Sequence, residues 1–128
     1  MKVLLDTHVF LWAISEDPRL SSSARKIFTA ADSENLLSVA SVWEILVKAE
    51  AGRLPFPRPA SSYLRTQLRK TSTAVLPILL SHVLRLESLP LHHRDPFDRI
   101  ILAQALEEEI PVVSADSKFH LYPIEVLW

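Results

Sequence analysis

The 128-residue chain has no cysteine and one glycine, Gly52. Without cysteine there is no disulfide, no thiolate zinc site and no cysteine nucleophile, which suits a reducing compartment such as the cytoplasm. A single glycine cannot write the G-x-G-x-x-G of a dinucleotide site or a Walker A loop, nor the G-x-S-x-G elbow of serine hydrolases. Long hydrophobic runs are missing too. The longest uncharged stretch, Thr71 to Leu84 with His82 neutral, falls short of the roughly 20 residues that cross a bilayer. Asp6 and His8 interrupt the apolar start after Lys2 before it can act as a secretory signal. A soluble, cytoplasmic protein is expected.

What remains is a chain rich in core-forming residues. Apolar residues make up 48%, charged residues 23%, and the net charge is −1, so a folded core is expected rather than disorder. The length fits one domain over residues 1–128. The near-neutral total hides an asymmetry. Arg53 to Arg94 carries seven basic residues against one acid, Glu87, a net +6 that leaves −7 on the rest of the chain. Such a segment can hold a phosphate backbone or serve as a solvated helix face.

Short apolar runs at Lys2–Leu5, Leu36–Val39, Ala74–Ile78, Val112–Ser114 and Ile124–Leu127 read as five strands. Between them, helices are expected over Val9–Ile14 with Thr7 as N-cap, and from Ser21 through Ala31. A third should follow Ser41, with Glu44 completing a capping box, and end near Gly52. Further helices are expected over Tyr63–Lys70, Leu79–Leu89 and Phe97–Glu109, with the three-proline stretch Arg53–Ser62 a loop. Strands alternating with helices across short connections predict an α/β fold, a parallel sheet covered on both faces. Right-handed crossovers then put the strand carboxyl ends, and any site, along one edge.

The acids fall at that edge. Asp6 ends the first strand, Glu44 lies early in the helix after the second, Asp98 in the first turn of the Phe97 helix, and Asp116 just beyond the fourth strand. Each has an ordinary structural use as a cap, a capping-box partner, a helix-dipole complement or an Asx turn. Together they need four separate explanations, whereas one divalent cation offsets the repulsion of all four. One or two such ions can activate water and stabilise the leaving oxygen of a phosphodiester.

The residues that carry a family likeness are Leu4-Leu5-Asp6-Thr7-His8, Ser41-Val42-Trp43-Glu44-Ile45 with Lys48, Asp95-Pro96-Phe97-Asp98-Arg99 leading into Leu102-Ala103-Gln104-Ala105, and Ser114-Ala115-Asp116. In that order and spacing, over nearly the whole chain, the sequence resembles the PIN-domain nucleases of the VapC type, the toxins of bacterial toxin–antitoxin pairs. The resemblance implies a PIN-like three-layer sandwich with a five-stranded parallel sheet. It also implies a Mg²⁺-dependent endoribonuclease (Mn²⁺ substituting), a cognate antitoxin that blocks the site, an RNA substrate and a homodimer. On the family pattern Asp6, Glu44, Asp98 and Asp116 are catalytic. Asp6 and Asp98 are then direct metal ligands, and Asp116 serves a second ion or acts indirectly. Glu44 acts through water.

Asp95 competes with Asp98 for the metal, and the offset to the apolar residues of the helix favours Asp98. Thr7, Lys48, Arg99 and Ser114 are candidates for substrate contact; Ser114 stands where the family usually has threonine. Capping by Thr7, pairing of Arg99 with an acid and an i,i+4 pair of Lys48 with Glu44 are the plain alternatives. The five histidines lack metal spacing, and His92-His93 read as loop residues without a role, with contact to RNA near the site as the alternative. Trp43 and Trp128 are expected to pack, and Trp12 to contribute to a partner surface on an unusually apolar first helix. Two other classes share the layered architecture. A receiver domain needs paired acids after strand one and an acceptor Asp after strand three, and neither is present. A non-catalytic RNA-binding scaffold of the same fold is the alternative, although it would be expected to have lost acids.

Overall fold

The computed structural model describes residues 1–128. In β1 (Lys2–Leu5), Val3 and Leu5 are buried on one face of the sheet and Leu4 on the other. A strand covered on both sides has no polar face, which is why it reads as an unbroken apolar run. β1 pairs in parallel with β2 (Glu34–Ser38) on one side and β4 (Val112–Val113) on the other. β3 (Ala74–Leu76) lies outside β2, and β5 (Val126–Leu127) outside β4. The order β3-β2-β1-β4-β5 is parallel throughout, so all five carboxyl ends share one edge. It reverses between β1 and β4, and the crevice at such a reversal is where open sheets bind ligands.

Helices α1 (Thr7–Ile14), α2 (Ser22–Thr29), α3 (Val39–Glu50) and α4 (Ala60–Lys70) cover the face that carries Val3, Leu5, Leu37 and Val113. Helix α6 (Pro96–Glu108) packs Ile101, Leu102 and Ala105 against Leu4 and Val112 on the other face, with Phe119 and Tyr122 closing that core. Helix α5 (Leu80–Arg85) is clipped to α6 by Arg85 on Glu107 at 2.7 Å and buried His82 beside Glu108 at 3.1 Å. The three layers are those expected, and no helix is long and apolar enough to cross a membrane.

Scarcity of glycine leaves a mark on the helix ends. After α3, Gly52 takes φ 75°, its N–H bonds to Ala49 O and the next N–H, of Arg53, reaches back to Lys48 O at 2.8 Å. That paired closure needs a left-handed residue, and glycine adopts it freely. Helices α1, α4 and α6 close through the same left-handed step with Glu16, Ser72 and Glu109 at φ 51–54°. For residues with a side chain that conformation costs roughly 1–2 kcal/mol each.

Several boundaries moved. The cap of α3 is Ser38, whose Oγ accepts from Ala40 N–H at 3.0 Å, so the helix starts at Val39 and the expected Ser41–Glu44 capping box does not form. Asp6, not Thr7, is the residue at the N-cap of α1. Helix α2 keeps its Ser21 cap but stops at Thr29, short of Ala31. Strand β3 ends at Leu76, because Pro77 has no N–H to continue the ladder. The expected Leu79–Leu89 helix tightens into a 3₁₀ turn over Leu86–Ser88.

Candidate active site

Asp6 sits at the carboxyl end of β1, beside the reversal, and is 5% exposed. Ser114, at the end of β4, donates its hydroxyl to Asp6 Oδ2 at 2.7 Å and accepts the N–H of Asp116 at 3.0 Å. One buried hydroxyl therefore fixes two of the four acids. The other oxygen of Asp6, Oδ1, is buried with no hydrogen-bond partner. Glu44, on the second turn of α3 and also 5% exposed, pairs Oε2 with Lys48 Nζ at 2.8 Å and leaves Oε1 buried and unpartnered. Such orphans are uncommon in folded proteins and are normally met by water or an ion.

Asp95 and Asp98 divide their work. Asp95 Oδ1 accepts from Phe97 N–H at 2.8 Å and Asp98 N–H at 3.4 Å, so its carboxylate caps α6, with Pro96 at the first helical position. Asp98, the third residue of α6, has its Oδ2 3.1 Å from His93 Nε2. Asp116 Oδ2 accepts from the same nitrogen at 2.8 Å, and its Oδ1 accepts Lys118 N–H at 2.9 Å.

Charge confirms the crowding. Burial, reinforced by the carboxylates of Asp6, Asp95, Glu44 and Asp116, pushes Asp98 up to about 8. Burial likewise raises Asp6, with Asp116 and Glu44 adding to it and the Ser114 hydroxyl and His8 opposing. Partial burial opposes ionisation of Asp116, but the Lys118 N–H, the His93 hydrogen bond and the charge of Lys118 outweigh it, and its carboxyl is lowered. Four acids from four segments thus share one region, and two are held above their ordinary range by it.

Three of the acids, Asp6, Asp98 and Asp116, line a cleft of about 350 Å³ together with His8, Trp12 and Arg19, and Glu44 lies behind it. A larger groove of about 570 Å³ adjoins it through His8, Trp12 and Arg19, and adds Lys48, Arg53 and Phe56. Trp12 lines both, with the Arg19 guanidinium 5.0 Å from its ring and Trp128 packed at 5.9 Å. The apolar first helix therefore presents a surface at Trp12, and Trp128, expected to be packed, rests on it but is itself 38% exposed.

Three of the candidate substrate contacts are engaged elsewhere. The Thr7 hydroxyl is fully buried and donates to Ser41 Oγ at 2.7 Å, so it neither caps α1 nor faces the cleft. Ser114 is buried and holds acids. The Arg99 guanidinium donates to the carbonyls of Leu86, Leu89, Pro90 and His93 at 3.0–3.3 Å, tying the segment before α6 rather than pointing at a phosphate. Lys48 forms the i,i+4 pair with Glu44 but keeps 27% of its side chain exposed at the groove. Of the seven basic residues of the middle segment, Arg53 reaches that groove and Arg85 is paired with Glu107.

Two expectations fail outright. Trp43 is 62% exposed, its ring against Phe97 at 4.9 Å, and is no core residue. His93, read as an idle loop residue, contacts two of the four acids. Its one sequence signal was adjacency to the Asp95–Asp98 motif, and its partner Asp116 lies 23 residues away.

The family model of the PIN domain matches residues 3–125. The chain belongs to the PIN domain family. Its relatives include Ribonuclease VapC22 of Mycobacterium tuberculosis (strain ATCC 25618 / H37Rv), 32% identical over 125 residues that cover 94% of this chain and 93% of that one. Ribonuclease VapC16 of the same organism is 36% identical over 69 residues, about half of each chain (51% of this one and 49% of that one). In fold the PIN domain described here is similar to the DNA-bound VapBC from Salmonella typhimurium, at a TM-score of 0.73 and 19% identity, covering 98% and 96% of the two chains.

Proposed function

We propose that this chain, as a single PIN domain over residues 1–128, is an endoribonuclease toxin acting in the cytoplasm, dependent on a divalent cation and silenced by a cognate antitoxin. The cation is Mg²⁺, with Mn²⁺ able to substitute. The observation that carries the reading is the pair of buried, unpartnered carboxylate oxygens, Asp6 Oδ1 and Glu44 Oε1, within an acid cluster at the sheet reversal. Names of the relatives support the ribonuclease and toxin assignment.

The donor set fits a hard cation, being carboxylate oxygen with no thiolate in the chain. Asp6 and Asp98 would hold it, and Asp116, with both oxygens already in hydrogen bonds, would steady the site or serve a second ion. When bound, a divalent cation activates water and stabilises the leaving oxygen of a phosphodiester. The chain does the rest. Ser114 fixes the direction of Asp6, and Glu44, steadied by Lys48 on one oxygen and free on the other, would ligate through water or orient the attacking water. In the neighbouring groove Arg19 and Lys48 are paired with Asp17 and Glu44, and Arg53 adds the positive charge that RNA phosphates need. The exposed flank of Trp12 in the same groove is the surface assigned to the antitoxin.

Purified chain, freed of antitoxin, is expected to cut cellular RNA in Mg²⁺ or Mn²⁺ and not in EDTA, leaving 5′-phosphate and 3′-hydroxyl ends, with Asp6→Asn inactive. Cleavage that persists in EDTA, or ends carrying a 2′,3′-cyclic phosphate, would overturn the reading.

A second copy of the chain is part of the proposal. Trp43 and Val47 on α3, and Leu79, Leu80, Val83 and Leu84 around α5, are exposed together beside an apolar cavity of about 240 Å³ that Trp43, Val83 and Phe97 help to line. Projecting side chains and a cavity on one face are what a self-complementary two-fold contact requires. Trp43→Glu is expected to convert a dimer to a monomer in light scattering with its circular dichroism unchanged; an unaltered mass would place the dimer contact elsewhere.

A further inference from the structure

His93 belongs to a group whose donor atoms, with those of Asp98 and Asp116, lie within 4.8 Å of one another, and composition alone would make it a His-Asp-Asp metal triad. The hydrogen bonds say otherwise. The backbone N–H of Asp95 donates to His93 Nδ1 at 3.2 Å, so that nitrogen offers a lone pair and carries no proton. A neutral ring must then hold its proton on Nε2, where Asp116 Oδ2 accepts it at 2.8 Å with Asp98 Oδ2 at 3.1 Å. Binding a cation through Nε2 would send the proton to Nδ1, donor against donor with the Asp95 N–H, in a ring that is 8% exposed.

We propose that His93 is a positioning residue and not a metal ligand: its Nε2–H joins Asp116 to the first turn of α6 and sets how Asp98 is presented. This rests on the nuclease reading above. The histidine is well placed for the task, because its backbone is fixed on both sides. Its own N–H donates to the Tyr122 hydroxyl at 2.9 Å, and its carbonyl accepts from Arg99. The ring edge packs on Phe119, 5.8 Å between centroids. Two segments, the continuous stretch 91–98 and the loop after β4, are joined at this one nitrogen. Without that donor, two carboxylates that repel each other have no shared partner. The engaged oxygen of Asp98 is Oδ2, which leaves Oδ1 as the oxygen that would hold a cation.

Two substitutions separate the ring nitrogens. His93→Gln can offer an N–H near the place of Nε2, and His93→Asn keeps an acceptor near Nδ1 but has no donor that reaches the acids. Mn²⁺ affinity, measured by electron paramagnetic resonance, is expected to stay near wild type in His93→Gln and to fall about 10–100-fold in His93→Asn, the usual loss when a partner that orients a ligand is removed. Wild-type protein loaded with Mn²⁺ should show no imidazole nitrogen coupling. Ring ¹⁵N shifts of the metal-free protein should report the Nε2–H tautomer. Imidazole coupling to Mn²⁺, an Nδ1–H tautomer, or His93→Asn binding Mn²⁺ as wild type would each overturn the proposal. Failure of wild type to bind Mn²⁺ would sink the nuclease reading instead, and the ¹⁵N shifts would still decide the role of His93.

Discussion

Asp98→Asn is expected to make the metal-free protein more stable at pH 8 while removing RNA cleavage. The two effects have one cause. Burial and the neighbouring carboxylates hold folded Asp98 up to about 8, against 3.8 for the ordinary carboxyl of the unfolded chain. Below about pH 4 both states are protonated and nothing is lost. Between the two values the unfolded chain has released the proton that the folded site retains, so stability falls as pH rises, by up to about 1.4 kcal/mol per pH unit. Above pH 8 both are ionised and the loss is complete. Thermal melts in EDTA from pH 5 to pH 8 should therefore descend in wild type and run flatter in Asp98→Asn. Saturating Mg²⁺ should restore wild type at pH 8, by about 2.7 kcal/mol at a hundred times the dissociation constant, and do little for the variant. Cleavage should fall by roughly 10²–10³-fold or more, the scale on which loss of one preorganised charged group acts. Parallel melting curves for the two proteins would show that Asp98 is not under strain from its neighbours.

Lys48→Met carries the opposite sign. Glu44 is almost wholly buried, and Lys48 is the one cation on its carboxylate, at 2.8 Å. Removing a lysine from such a pair strands a carboxylate among other acids, which costs about 3–5 kcal/mol for a fully buried pair. Exposure of part of the Lys48 side chain brings the expected loss to about 2–3 kcal/mol. Adding Glu44→Gln should recover most of it, since the charge that needed Lys48 is then gone. Urea unfolding of the two single variants and the double variant closes the cycle. A Lys48→Met protein as stable as wild type would reduce the pair to an ordinary surface i,i+4 contact.

Much of this molecule was legible in its sequence, for local reasons. A strand covered on both faces must be apolar throughout, so Lys2–Leu5 and Val112–Val113 announced themselves. Helices that must close against a core show it every three or four residues, as Phe97–Glu109 did, although the Asp95 cap and Pro96 start α6 one residue earlier than that pattern. Parallel strands then put Asp6, Glu44, Asp98 and Asp116 at one edge without any knowledge of distances. Caps were less legible. Ser38 and Ser41 are chemically equal, and what chose Ser38 was the point at which β2 leaves the sheet.

Residues joined across the chain could not be read at all. Ser114 reaches Asp6 over 108 positions, His93 reaches Asp116 over 23, and Arg99 gathers carbonyls from Leu86 to His93. A hydroxyl, an imidazole or a guanidinium can serve many partners, and only the packed chain selects among them. Trp43 failed for a related reason, because an apolar side chain on a helix does not declare which surface will cover it, and in this chain it lies on the outer face of α3. Architecture, edge and acids follow from hydrophobic periodicity and strand direction, which are local or topological properties of the chain. Which carboxylate oxygens are free and which are held depends on where four separate segments meet in a space too small for their charges, and that exists only in the folded molecule.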